Sequence, residues 1–200
     1  ESGLHILHVN TITKYLLKQL VQLTDQYPLS KADISLISTA SALHDIGKIS
    51  ISDAILNKPS RLTAEEFEVI KTHSVIGASM LLDLSIEQRE NPLIKVASEI
   101  CRWHHERYDG NGYPDGLKGE EIPLNARIIG IADTFDAMTA NRVYRKQLDM
   151  DYVLNELKKG RGTQFDPELV DIMLRLIADG KIDIQSLYED KQNGVQGERT

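Results

Sequence analysis

Apolar residues recur every three or four positions along most of the chain, which is the pattern of helices that bury one face. Residues 4–26 show it most clearly, with isoleucine, valine and leucine at helical spacing. Capping signals predict where other helices begin: Ser30 and Thr63 each have an acidic residue at the third following position, and Pro92 and Pro167 suit a first helical turn. Because no segment alternates like a strand, the pattern predicts one all-α domain.

The same pattern predicts where some of these helices end. The helix that follows Thr63 is expected to end near His73, with a separate helix over residues 74–84. The helix that starts at Pro92 is expected to continue to about Tyr108, which places two adjacent histidines near its end.

Composition narrows the class of protein. Of the 200 residues, 41% are hydrophobic and 26% are charged, which is typical of a globular domain. The formal net charge of −7 argues against broad nucleic-acid binding, although bound metal ions can reverse the local field around a small anion. The single cysteine cannot form an internal disulfide, which favours a reducing cytoplasm, and no run of about 18 apolar residues indicates a membrane span.

Polarity and position along the chain also suggest its domain limits. We expect one domain over residues 1–187 and a polar, disordered tail over residues 188–200. Because the chain begins within or just before a helix, we expect it to be cut from a longer protein with an N-terminal regulatory domain.

One short segment, residues 43–49, carries the first candidate chemistry. His44, Asp45, Gly47 and Lys48 interrupt an otherwise apolar run there. Burying an unpaired carboxylate is costly, and imidazole with carboxylate suits divalent metal ions. We expect the second helix to deliver His44 and Asp45 at its end and Gly47 to terminate it in a left-handed conformation. Lys48 would then face an anion held by the metal, although a purely structural His-Asp pair is the alternative.

Two further features have both a functional and a structural interpretation. Glu1 and His5 lie one helical turn apart, as either a ligand pair or a solvated first turn. Residues 109–116 are rich in glycine, asparagine and aspartate, and by themselves they suggest only a long surface turn.

The apolar helix predicted after Pro123 carries two carboxylates on one face. Asp133 and Asp136 lie three positions apart among isoleucine, alanine and phenylalanine, so both need cations. Arg142 and Arg145 follow closely and are candidate salt-bridge partners.

Taken together, the sequence resembles the HD-GYP domains, a bacterial subgroup of the HD superfamily of metal-dependent phosphohydrolases. The matching segments are residues 43–49, His73 with Gly77, residues 104–114, 122–123, 132–138, 142–145 and 165–167. The resemblance covers nearly the whole chain, from Glu1 to about Ala178. It implies an all-α, single-domain helical bundle of the HD superfamily type, with about seven or more helices.

The resemblance also implies a ligand set and a group of substrate contacts. The implied metal ligands are Glu1, His5, His44, Asp45, His73, His104, His105 and Asp133. They would hold two or three divalent ions, iron or manganese by preference, with magnesium, nickel or zinc allowed by the ligand chemistry. Asp45 would bridge two ions, and His44, Asp45 and Lys48 would form the catalytic centre. The implied substrate contacts are Lys48, Tyr113, Arg142 and Arg145.

The activity implied is hydrolysis of cyclic di-GMP to linear pGpG, GMP or both, by attack of a hydroxide that bridges two metal ions. The sequence departs from the family pattern at three places: Ser60-Arg61, His8 and Val143. These departures leave the preferred substrate open, and cyclic GMP-AMP is another candidate. One alternative is an HD phosphohydrolase acting on another nucleotide such as (p)ppGpp. Another is an inactive or weakly active adaptor that binds a GGDEF (diguanylate cyclase) protein through the Gly-Tyr-Pro loop, although an adaptor has no need of eight ligands.

Overall fold

The structure is a computed structural model, and it describes residues 3–140 and 148–182. Within these ranges the chain forms nine α-helices and no named strand. The helices are α1 (Gly3–Leu23), α2 (Lys31–Ala40), α3 (Asp53–Leu56), α4 (Ala64–Leu82), α5 (Ile86–Arg89), α6 (Pro92–Trp103), α7 (Leu124–Thr139), α8 (Met150–Gly160) and α9 (Pro167–Ala178). Short 3₁₀ helices span Ser41–Leu43, Ile46–Ser50 and Gly119–Glu121. The prediction of an all-α bundle is therefore confirmed.

Glu1, Arg142, Arg145 and the predicted tail at 188–200 lie outside the described residues. In the described part of the chain, no helix combines the length and apolar character needed to cross a membrane.

The helix starts follow the capping signals of the sequence. Ser30 and Thr63 both make a capping box, in which the hydroxyl accepts the third backbone N–H and the acidic side chain accepts the N–H of the capping residue. Pro92 and Pro167 occupy the first turns of α6 and α9. A side-chain cap such as that of Ser30 or Thr63 stabilises its helix by about 1 kcal/mol, so these helix starts are determined locally.

The core lies where α1 crosses α7, α2 and α9, and α6 packs between α2, α4 and α7. Leu16, Leu17 and Leu20 of α1 and Phe135 of α7 are fully buried in it. Complete burial of side chains of this size contributes roughly 1.5–3 kcal/mol each. This packing fixes α1 against α7, which carry candidate ligands from opposite ends of the sequence.

Three predicted boundaries were wrong. α4 runs without a break through His73, because this stretch contains no proline and its helical hydrogen bonds are continuous. α6 ends at Trp103, so His104 caps it and the residues from His105 onward form a loop. α2 ends at Ala40, followed by the 3₁₀ helix Ser41–Leu43 rather than a longer α-helix.

The role predicted for Gly47 was also wrong. Its backbone φ is not positive, so it does not end a helix in the left-handed conformation. A Cβ at this position would instead lie 2.0 Å from the carbonyl oxygen of His73 and 2.6 Å from the backbone nitrogen of Gly77. Gly47 is required because the Ile46–Ser50 turn packs directly on the backbone of α4.

Candidate metal centre

Seven of the eight predicted ligands lie among the described residues, and the fold gathers them from five parts of the chain. The contributors are α1 with His5, the junction of two 3₁₀ helices with His44 and Asp45, α4 with His73, the end of α6 with His104 and His105, and α7 with Asp133. His5 is 8% exposed, so it does not belong to a solvated turn. The side chains form two adjoining groups, and in each group the candidate ligand atoms all lie within 4.8 Å of one another.

The first group consists of Asp45, His73, His104 and His105. Asp45 Oδ1 lies 3.0 Å from His73 Nε2 and 3.7 Å from His104 Nε2. The Nε2 atoms of His73 and His104 are 3.5 Å apart. His73 and His104 are almost completely buried, so these nitrogen atoms are shielded from water.

The second group consists of His5, His44 and Asp133. His5 Nε2 lies 3.3 Å from His44 Nε2 and 3.5 Å from Asp133 Oδ1. Asp45 joins the two groups, because its Oδ2 atom is 3.2 Å from His44 Nε2 while its Oδ1 atom faces His73. A carboxylate with one oxygen toward each group is suited to bridging two ions.

The donor atoms of both groups fit divalent metal ions. His44 Nδ1 donates to the carbonyl oxygen of Ser41 at 2.8 Å, and His73 and His104 bond carbonyls about one turn earlier in the same way. Since a carbonyl only accepts, each Nδ1 carries a proton, and a metal ion could then bind each ring only through the Nε2 lone pair. Lone pairs that face one another beside carboxylates repel unless a cation lies between them. Nitrogen and carboxylate donors without thiolate are compatible with iron, manganese, magnesium, nickel or zinc.

Behind the second group lies a hydrogen-bonded arrangement that the sequence analysis missed. Asp136 Oδ2 accepts a bond from His5 Nδ1 at 2.7 Å, and Asp136 Oδ1 accepts one from His8 Nδ1 at 2.7 Å. Asp136 is only 2% exposed. Burial raises the pKa of its carboxyl, but the bonds from His5 and His8 outweigh burial and leave the pKa below its ordinary value.

This arrangement orients His5, because a proton fixed on Nδ1 leaves Nε2 as a lone-pair donor. The signal for it was present in the sequence: His5 and His8 share one face of α1, and Asp133 and Asp136 share one face of α7. Only the packing of α1 on α7 paired the two faces.

Two predicted substrate contacts border the groups. Lys48 Nζ lies 2.5 Å from Asp45 Oδ2, with about a third of the side chain exposed. The Tyr113 ring stacks on His105, with centroids 4.8 Å apart and planes 26° apart. Burial, followed by the charges of Asp45 and Asp133, raises the pKa of Tyr113, so its hydroxyl stays protonated. Residues 109–116 are therefore part of the site rather than an isolated surface turn.

Glu106 holds that loop and is a second residue whose role the sequence analysis missed. Its Oε1 atom accepts the backbone N–H groups of Asp115 at 2.7 Å and Gly116 at 3.1 Å. Burial raises the pKa of Glu106 in spite of these bonds. His105, next to it, has a pKa well below its ordinary value because of burial and the neighbouring His104 and His73, so it is neutral and available as a ligand.

Comparison with known proteins identifies the family. The family model described as "HD domain" matches residues 6–169. The chain belongs to the HD domain family. The HD-GYP resemblance predicted from the motifs is likewise confirmed, and the phosphohydrolases of this family depend on metal ions, in agreement with the donor set described above.

The relatives of this HD domain are named as phosphodiesterases, as the sequence analysis predicted. It is 46% identical over 151 residues to the cyclic di-GMP phosphodiesterase response regulator RpfG of Xanthomonas campestris pv. campestris, covering 76% of this chain and 39% of that protein. It is 36% identical over 174 residues to 3′3′-cGAMP-specific phosphodiesterase 2 of Vibrio cholerae, covering 87% of this chain and 31% of that protein. The chain thus spans less than half the length of these curated relatives.

A solved structure supports the HD fold. Bd1817, an HDG"Y"P protein from Bdellovibrio bacteriovorus, superposes with a TM-score of 0.64 at 20% sequence identity. The match covers 87% of this chain and 51% of that one.

Proposed function

We propose that this HD domain is a metal-dependent phosphodiesterase that hydrolyses cyclic dinucleotides. The observation that carries the proposal is the pair of adjoining imidazole and carboxylate groups joined by Asp45. The names of the relatives support a cyclic dinucleotide as the substrate. Cyclic di-GMP is the first candidate, with linear pGpG, GMP or both as products. Cyclic GMP-AMP is the second, because three relatives are named as specific for it.

The two groups would hold the metal ions, through Asp45, His73, His104 and His105 on one side and His5, His44 and Asp133 on the other. Divalent ions bound there would acidify a water molecule and neutralise charge on a phosphate oxygen. Glu1 is the proposed additional ligand of a third ion.

The chain's own residues position the substrate and exclude water. Lys48 Nζ, beside Asp45 and partly exposed, is placed to contact a phosphate oxygen and neutralise negative charge that grows during the reaction. The protonated hydroxyl of Tyr113 can donate to a second phosphate or ribose oxygen. Arg142 and Arg145 remain predicted substrate contacts. Burial of His44, His73 and His104 keeps bulk water away from the donor atoms.

The test is hydrolysis by manganese- or iron-loaded protein of cyclic di-GMP and cyclic GMP-AMP, with products separated by chromatography. We expect conversion of at least one of them and no conversion after chelation. A control variant, Lys95→Met, removes an exposed lysine that pairs with Glu90 away from the centre, and it should keep full activity. Absence of turnover with a full complement of metal would refute the proposal. It would favour the adaptor alternative, in which the predicted activity is GGDEF binding through the Gly-Tyr-Pro loop.

A further inference from the structure

An aromatic row leads from the candidate metal centre to the surface. Tyr113 stacks on His105, and the Phe67 ring of α4 meets Tyr113 edge to face, with centroids 6.5 Å apart and planes 82° apart. Phe67 is 45% exposed, although it is large and apolar. None of the predicted substrate contacts lies on α4, so the proposed mechanism leaves Phe67 without a role.

The row lines a cavity of about 480 Å³. The candidate ligand His104 and Thr134 of α7, which follows Asp133 in the sequence, also line this cavity. Cavities of this size commonly hold a drug-sized or nucleotide-sized molecule. The cavity therefore connects the candidate metal centre with the exposed ring of Phe67.

A cation lies at the same place. Lys71 Nζ is 5.1 Å from the centroid of the Phe67 ring and 5.6 Å from that of Tyr113. It also pairs with Glu68 Oε1 at 2.6 Å, but two-thirds of the Glu68 side chain is exposed, so solvent weakens this pair. A phosphate entering the cavity can compete with Glu68 for Lys71.

We propose that Phe67 and Lys71 form a nucleobase subsite, in which a purine of the substrate stacks on Phe67 while Lys71 contacts its phosphate. This inference rests on the proposed function, because it assumes a nucleotide substrate. An exposed aromatic ring with a neighbouring cation is the combination that binds bases without requiring a particular sequence. The subsite adds binding energy remote from the reacting phosphorus, and so it orients the diester toward the metal centre.

Steady-state kinetics give the first test. Phe67→Leu should raise KM for cyclic di-GMP about tenfold, within the range observed for loss of one base–aromatic stack. Lys71→Met should raise KM several-fold, and Lys71→Arg should restore most of the loss. Methyl p-nitrophenyl phosphate, a diester without a nucleobase, should be hydrolysed by Phe67→Leu as fast as by wild type. The matched control Tyr152→Leu removes a 50% exposed ring of α8 that does not line the cavity, and it should leave both substrates unaffected.

A binding measurement tests the subsite independently of hydrolysis. Saturation-transfer NMR of GMP with metal-free protein should show the strongest transfer at the base proton H8, lost in Phe67→Leu and kept in Tyr152→Leu. Circular dichroism melting should give equal midpoints for all variants, because Phe67 is already partly exposed.

The outcomes separate the two proposals. Hydrolysis of cyclic di-GMP with unchanged KM in Phe67→Leu, or H8 transfer that survives in that variant, overturns the subsite and leaves the proposed function intact. Hydrolysis of the simple diester but of no cyclic dinucleotide overturns the proposed function. In that case, saturation transfer to H8 of GMP that is lost in Phe67→Leu still supports a purine-nucleotide subsite. If the wild-type protein shows no transfer to H8, the subsite is overturned as well.

Discussion

Gly47 offers a sharp test of how the candidate metal centre is assembled, because an alanine there would collide with backbone rather than with a movable side chain. The added Cβ would lie 2.0 Å from the carbonyl oxygen of His73, where ordinary contact begins at 3.4 Å. The turn Ile46–Ser50 and α4 would therefore have to separate by 1.4 Å. Neither contacting atom can rotate away, so the strain must be relieved by moving whole elements.

The expected cost follows from that shift. Overpacking of a core by one methyl group costs roughly 1–3 kcal/mol, and we expect about 3 kcal/mol here because backbone is involved on both sides. Separation of the two elements also moves Asp45 away from His73. In the wild-type structure, Asp45 Oδ1 lies 3.0 Å from His73 Nε2. Metal sites tolerate about 0.5 Å of displacement, so metal affinity should fall by about tenfold or more.

The assay is urea unfolding of Gly47→Ala in the presence of a chelator, which measures stability without metal, together with metal analysis after reconstitution. Two other glycines provide matched controls. Gly77→Ala would place its Cβ 3.0 Å from the backbone nitrogen of Gly47, so it should cost only about 1 kcal/mol. Gly3→Ala meets nothing within 4 Å in α1 and should be neutral or stabilising by up to about 1 kcal/mol.

Gly47→Asn tests in solution whether Gly47 is needed for close packing, because a left-handed cap would respond to this variant in the opposite way. Asparagine is tolerated in the left-handed conformation, so a cap would accept it better than alanine. If Gly47 is needed because it packs closely on α4, the larger asparagine side chain should lower the free energy of unfolding more than alanine does. Close packing of Gly47 on α4 is refuted if Gly47→Asn is at least as stable as Gly47→Ala, or if both variants lie within about 0.5 kcal/mol of wild type.

Two carboxylates at the candidate metal centre and the buried cysteine can be tested in the same way. Asp45→Ala should empty the metal centre and abolish hydrolysis while the far-UV circular dichroism stays helical. Asp136→Asn should destabilise the protein by about 3 kcal/mol above pH 4, because a buried carboxylate that accepts two imidazole bonds is lost. Cys101, whose pKa burial raises to about 12, should resist alkylation at pH 8 in the native state and react fully in urea.

Each of these has a result that would contradict it. For Asp45→Ala, it is wild-type turnover with full metal content. For Asp136, the native pKa is depressed, so its contribution is present above the ordinary pKa and is lost as pH falls below about 4; an equal difference from wild type at pH 3 and pH 7 would count against it. For Cys101, the native pKa is raised, so the free energy of unfolding should fall as pH rises from 9 towards 12. Rapid alkylation of the native protein at pH 8 would show that the thiol is not buried.

The sequence alone determined the helical class, the capped starts of α2, α4, α6 and α9, and the residue types of the candidate metal centre. These features depend on local physics: helical periodicity, a hydroxyl or carboxylate that caps its own turn, and the cost of burying an unpaired carboxylate. The HD-GYP motifs added the grouping of the ligands, since no rule of spacing links His5 to Asp133 across most of the chain.

Tertiary structure decided what depends on contacts between distant segments. Gly47 is explained by the backbone of α4, which is remote in sequence from its turn, so a local rule assigned it the wrong role. The pairing of His5 and His8 with Asp136, and the meeting of Phe67 with Tyr113, follow from packing of α1 on α7 and of α4 beside the loop after α6. Periodicity indicates which face of a helix is buried, but only the packed chain determines which other face it meets.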